Sequence, residues 1–250
     1  MSPATGSTAA ATPARAGGIR FAVESVSVAR AHLPVVREVS LTVEAGSISV
    51  LLGANGAGKT TLLEGLSGVI PASGGRIALD GRELRRLGAG ARARAGLGHV
   101  EQGRTVFRQL STEENLRVGA RSAQALAWAY ELFPELAQRA RVRAGLLSGG
   151  EQQMLVIARA LLCEPKVLLI DEMSAGLAPI VVRRLMKTVR ALADRGLAVL
   201  LVEQFAALAL SIGDRAYVLR RGRMVYDGRC AELRDDPARL HQLYLGAATA

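Results

Sequence analysis

Nine residues beginning at Gly53, GANGAGKTT, carry the densest chemistry in the chain. They fit the pattern G-x-x-x-x-G-K-[ST], and a strand-like run, SISVLL, leads into them. Glycines at 53, 56 and 58 allow the backbone to curl so that several N–H groups point at one anion. Lys59 is placed to reach the β- and γ-phosphates of a nucleotide, and the Thr60 hydroxyl to ligate Mg²⁺. Gly53, Asn55, Gly56, Ala57, Gly58, Lys59, Thr60 and Thr61 are therefore the candidate nucleotide contacts.

A second acidic element suits the same reaction. Val167–Ile170 is a short apolar run that ends in Asp171-Glu172. Ligand chemistry in open parallel sheets gathers at the carboxyl ends of strands. Asp171 is thus expected to hold Mg²⁺, and Glu172 to orient and deprotonate an attacking water. Phosphoryl transfer depends mainly on positioning and charge stabilisation, so Glu172 needs no strongly raised pKa. A third element, LSGGEQQ from Leu147, opens an apolar helical run with two glycines. A helix start rich in free N–H groups is a second anion site, which one nucleotide does not explain.

The elements that must hold these residues follow from the hydrophobic pattern. RFAVESVSVAR and VVREVSLTVEAGSISVLLG read as strands, TTLLEGLSGVI as a helix, and GGRIALDGREL as a hairpin closing near Asp80-Gly81. From about residue 103 to 150 the strand signal fades. STEENL carries a capping box, Ser111 with Glu114, and the run ALAWAYELFPELAQRARVRA predicts further helix interrupted at Pro134. Beyond Gly150 the pattern alternates: helix Glu151–Leu162, strand Val167–Ile170, helix Val181–Arg195, strand Ala198–Val202, then a hairpin around Arg221-Gly222. Leu185, Val189 and Leu192 share one face of the third of these. Such alternation predicts an α/β fold with a mainly parallel sheet.

Composition sets the bounds. The 250 residues suit one domain over residues 19–250, behind an expected flexible tail at 1–18 that lacks the apolar core of a secretory signal. No apolar run reaches the ~18 residues of a membrane span. Two cysteines, Cys163 and Cys230, make no disulfide framework and fit a reducing compartment. The net charge of +10 is almost all arginine, scattered and not interleaved with aromatics. It reads as a general arginine bias plus solvated helix faces, the other reading being nucleic-acid binding or docking at an anionic membrane surface; no specific nucleic-acid partner is expected.

With three motifs on the page, the chain resembles ATP-binding-cassette (ABC) ATPases over about Arg20–Gly246. The resemblance implies a P-loop NTPase (RecA-like) core, an N-terminal antiparallel β portion and an inserted helical subdomain at about 103–150. It implies ATP and Mg²⁺ as cofactors, and a head-to-tail dimer with a second ABC ATPase subunit, expected to be a paralogue. Ser148, Gly149, Gly150 and Gln152 would then contact the nucleotide held by that partner. By the same resemblance Gln102 in LGHVEQ belongs to a loop that contacts Mg²⁺ and the attacking water, and Gln204 in LLVEQ stands where a histidine usually meets the γ-phosphate. SGGEQQML, GLAP and LVEQ together resemble the ATPase subunits of branched-chain amino-acid importers. That implies integral-membrane permease subunits, a separate substrate-binding protein, and a peripheral location on the cytoplasmic face of the membrane. Cassettes serving urea or short amides are the alternative, and a soluble cassette acting on nucleic acid or ribosomes a more distant one. Three positions depart from the pattern: Met173 replaces a proline, Ala178 an aspartate, and no aromatic stands where one usually stacks on adenine. Arg30 is the candidate there, because a guanidinium can stack on a base; His32 is the other residue at that place.

Overall fold

Every residue of β3 (Ile48–Leu52), β7 (Val167–Asp171) and β8 (Ala198–Val202) is buried, which is why these strands read as unbroken apolar runs. In the computed structural model, which describes residues 18, 20–120 and 122–245, they form the middle of a six-stranded sheet. Its order is β10 (Arg223–Arg229), β9 (Arg215–Arg220), β3, β8, β7, β6 (Leu97–Val100). All pairings are parallel except β10 with β9. Of the tail expected at 1–18, only Gly18 lies within the described residues.

Alternate side chains of these strands enter two cores. Ile48, Val50, Leu52, Leu168, Ile170, Val199 and Leu201 pack with α6 (Gly149–Leu161), α7 (Pro179–Asp194) and α8 (Ala206–Ile212). Leu51, Val167, Leu169, Ala198, Leu200 and Val202 pack with α1 (Lys59–Ser67) and a second, antiparallel sheet. That sheet is ordered β2 (Leu33–Glu44), β1 (Arg20–Arg30), β4 (Ala72–Leu79), β5 (Arg82–Glu83). The run expected as one strand signal before the glycine loop is thus two strands in different sheets, parted by a turn at Gly46 (φ 74°).

Both expected hairpins form, at Asp80-Gly81 (φ 49°, 77°) and Arg221-Gly222 (φ 49°, 76°), with the paired positive φ of a type I′ turn. The helix expected over TTLLEGLSGVI stops earlier, at Ser67. Gly68 (φ 82°) takes the left-handed C-cap conformation and its N–H donates to Glu64 O at 3.0 Å.

Between the halves lie α3 (Thr112–Gly119), α4 (Ala123–Leu132), α5 (Pro134–Gln138) and a 3-10 turn, Ala144–Leu146. The Ser111 capping box is present in both directions. The helix expected to continue through ARVRA instead ends at Gln138. The carbonyls of Ala140 and Val142 accept from the Glu113 and Thr112 N–H groups, which are otherwise orphaned at the start of α3. Residues 139–143 are drawn out of helix to complete that cap. Five elements escaped the sequence pattern: α2 (Ala89–Arg94), β6, α8, α9 (Cys230–Asp235) and α10 (Pro237–Leu245). The helices among them are six to nine residues long and β6 four, too short for periodicity to register.

Candidate nucleotide site

The glycine loop runs from the carboxyl end of β3 into the first turn of α1. Gly58 is the N-cap at φ 104°, a conformation that L side chains avoid. Gly53 is required by close approach: a Cβ there would stand 2.3 Å from Leu219 O on β9. The loop is therefore shaped by glycine inside and by the neighbouring strand outside. Ala54, Asn55 and Gly56 are exposed, whereas Ala57, Lys59 and Thr61 are buried.

Lys59 Nζ donates to Gly53 O at 2.8 Å and Ala54 O at 3.3 Å, and stands 3.8 Å from Glu172 Oε1. The Gln102 amide donates to Glu172 Oε2 at 2.8 Å. Side chains from beyond the ends of β3 and β6 thus converge on a carboxylate at the end of β7. Glu172 sits at φ 45°, its N–H held by Val202 O at 3.0 Å, and this left-handed turn swings its side chain off the line of β7.

Asp171 is 1% exposed, and neither carboxylate oxygen has a hydrogen-bond partner among the described residues. Burial raises its pKa, Thr60 beside it and Lys59 pull it down, and Glu172 adds to the rise. The Thr60 hydroxyl is the neutral polar group that acts on this carboxyl. Two buried, unpartnered carboxylate oxygens beside a hydroxyl are the hard oxygen donors a magnesium ion takes. Asp171, Thr60 and Gln102, whose amide is now bonded to Glu172, are the residues that could hold it.

Other candidates are placed differently. Gln204 is exposed and its side-chain amide has no hydrogen bond among the described residues. Arg30 is paired with Glu64 on α1, with its side chain 54% exposed. That pairing engages its Nη2. His32 occupies the β1–β2 turn at φ 66°. Ser148, Gly149 and Gly150 start α6, and a capping box joins Ser148 and Glu151 in both directions, at 3.3 Å and 2.8 Å. The Gly149 and Gly150 N–H groups are left without an acceptor inside the helix. Gln152, expected to touch nucleotide, donates to Ala144 O at 3.0 Å and so points back at its own chain. No hydrogen bond or ion pair joins this helix start to the phosphate loop among the described residues. The two anion sites are separate on one chain.

Glu203 was not singled out by sequence. It is fully buried and accepts from the Ser174 N–H at 3.2 Å, the Ser174 hydroxyl and the Gln204 N–H at 3.3 Å. Burial pushes its carboxyl up to about 7, with Glu172 adding to the rise against those three donors. Its only signal in the sequence is a lone acid directly after the buried run LAVLLV.

Comparison with known proteins gives the family and the fold. Residues 36–175 match the family described as ABC transporter. Over 229 residues the chain is 42% identical to the high-affinity branched-chain amino acid transport ATP-binding protein BraG of Pseudomonas aeruginosa, covering 89% of this chain and 98% of BraG. It is 38% identical over 220 residues to the lipopolysaccharide export system ATP-binding protein LptB of Escherichia coli K12, covering 85% and 91%. The fold matches the crystal structure of a nucleotide-free ATP-binding cassette from an ABC transporter with TM-score 0.81, covering 91% and 99%; at 23% identity that likeness is one of fold.

Proposed function

The chain belongs to the ABC transporter family as an ATP-binding, ATP-hydrolysing subunit, and on that premise we propose that it powers import of branched-chain amino acids through separate permease subunits. The observation that carries the substrate class is the 42% identity to BraG over nearly the whole of both chains. Gln204, in place of the usual histidine, is in keeping with it.

In this reading Lys59 leaves the loop carbonyls for the β- and γ-phosphates, and Glu172 holds the attacking water. Gln102, already bonded to Glu172, keeps that carboxylate aimed. Thr60, Asp171 and Gln102 would hold a magnesium ion, which would supply charge neutralisation at the phosphates. The loop glycines, Asn55, Ala57 and Thr61 cradle the nucleotide, and Arg30 lies against its base. Ser148–Gly150, with no nucleotide of their own, complete the site of a second, paralogous ATPase subunit packed head to tail. Gln152 reaches that nucleotide only if its bond to Ala144 breaks. The helical segment at 103–150 meets the permease, and the subunit sits peripherally on the cytoplasmic face. No described helix is long and apolar enough to cross a membrane.

Uptake in a strain lacking the gene tests the reading. The wild-type gene restores uptake of labelled leucine, isoleucine and valine. Glu172→Gln still binds ATP but restores none, because losing a general base costs on the order of 10²–10⁴ in rate. Restoration of urea or amide uptake instead, or none of these, overturns the substrate class. Full uptake with Glu172→Gln overturns the assignment of the base.

A further inference from the structure

Directly after Gln102, the backbone takes two successive left-handed conformations, Gly103 at φ 96° and Arg104 at φ 55°. The second is uncommon for a residue with a β-carbon and marks a turn held by its surroundings. The Arg104 side chain reaches across to the segment that follows Glu172. Its Nη2 donates to Ala175 O at 2.7 Å and Gly176 O at 3.1 Å. Its other nitrogen lies over the start of α6: a Cβ built on Gly149 would stand 2.5 Å from Nη1 and 3.0 Å from Cζ. No carboxylate pairs with this guanidinium among the described residues, and Nη1 meets no acceptor. One planar cation therefore touches three segments at once: the loop of Gln102, the turn after Glu172, and the helix start at Ser148–Gly150. A lysine could not do this: an ammonium can bond two carbonyls, as Lys59 does, but it has no flat face to lay over a glycine.

We propose that Arg104 is a positioning residue that couples this chain's own hydrolytic centre to the half-site it lends to the second subunit. Gln102 and Glu172 belong to the first, Ser148–Gly150 to the second, and Arg104 fixes the spacing between them. The proposal rests on reading the start of α6 as part of the partner's nucleotide site. Its physical content is that the guanidinium sets where Ser148 and the Gly149 N–H stand. A shift of about 1 Å in such groups is enough to cost up to about 100-fold in rate.

The test is steady-state ATP hydrolysis by the complete complex, with MgATP binding to the full chain measured separately, for Arg104→Ala, Ser148→Ala and the double variant. Arg104→Ala lowers kcat about tenfold, while KM and binding stay within about twofold, because the lost interaction acts on the reaction and not on this chain's nucleotide. In the Ser148→Ala background the same substitution costs less than about twofold, since both act through one half-site. Equal losses in both backgrounds, or weakened MgATP binding, would place Arg104 elsewhere and overturn the proposal. If Ser148→Ala is impaired and Arg104→Ala is not, the proposal alone fails. If Ser148→Ala turns over at the wild-type rate, the reading of α6 fails and the proposal with it. Should Arg104→Ala not fold, Arg104→Gln, which can still donate to one carbonyl, is judged by the same criteria.

Discussion

At the scale of single residues, the carboxylates at the strand ends differ by environment. Asp171 is buried with no donor, and Glu172 is held by Lys59 and the Gln102 amide. Glu203 is buried with three donors, two of them from Ser174, two residues beyond Glu172. It thereby pins the segment after Glu172 to the segment carrying Gln204. Glu203 has a pH signature. Its carboxyl lies at about 7 in the folded chain against 4.5 unfolded, so the folded state holds a proton that the unfolded state has lost between those values. Stability from this group is complete below pH 4.5, falls as pH rises towards 7, and is flat above. Between the two values each pH unit removes up to ~1.4 kcal/mol. Urea unfolding of wild type and Glu203→Gln at several pH values checks this. The wild type loses stability relative to the variant between about pH 5 and 7. A constant difference across that range would mean that Glu203 is ionised in the fold at pH 5.

At the scale of elements, α1 shows how one side chain ends a helix that carries a site. Arg92 on α2 is 1% exposed, with its guanidinium among carbonyls: Nη1 donates to Gly65 O at 2.7 Å and Leu66 O at 2.6 Å, Nη2 to Arg85 O at 2.7 Å, and Nε to Leu87 O at 2.8 Å. Two of these carbonyls close the C-terminal turn of α1, where a cation is favoured by the helix dipole. Burial lowers the pKa of Arg92, with Glu83 opposing. Arg92→Met leaves those carbonyls buried without donors, at roughly 1–3 kcal/mol for each group that water cannot reach. We expect a loss of about 3 kcal/mol, read as a lower urea midpoint at unchanged slope. Arg92→Lys recovers little, because one ammonium cannot serve four carbonyls. A midpoint within experimental error of wild type would show that water replaces the guanidinium.

At the scale of the whole molecule, the chain presents two anion-binding helix starts of different character. Lys59 and Thr60 at the start of α1 lie beside Glu172 and Asp171, with Gln102 bonded to Glu172, whereas the start of α6 has its own capping box and, among the described residues, no carboxylate pair of that kind. A complete hydrolytic site therefore requires a second subunit in the proposed arrangement. Ser148→Ala separates the two. MgATP binding to the isolated chain stays within about twofold, and loss of the cap costs α6 only ~1 kcal/mol, so folding survives. Turnover by the assembled complex falls at the site held by the partner. Equal weakening of binding and turnover would place Ser148 at this chain's own nucleotide.

The phosphate loop, Asp171-Glu172 and the start of α6 were legible because each is written in consecutive residues. The chemistry needs those types at that spacing, and β3, β7 and β8 announce themselves by apolar runs that two cores demand. The I′ hairpins were legible for the same reason, since their turn residues are local. Other features depend on contacts between residues far apart in the chain. Gln102 meets Glu172 across 70 positions, Arg104 meets Ala175 across 71, and Glu203 meets Ser174 across 29. Gln152 turning to Ala144, the helix broken at residue 139, and Arg30 paired with Glu64 likewise follow from what lies beside them in space. A hydrogen-bond partner is chosen by distance and burial, and those are set only when the sheets pack. The sequence determined which chemistry the chain carries; the tertiary structure decided which side chains were free to take part in it.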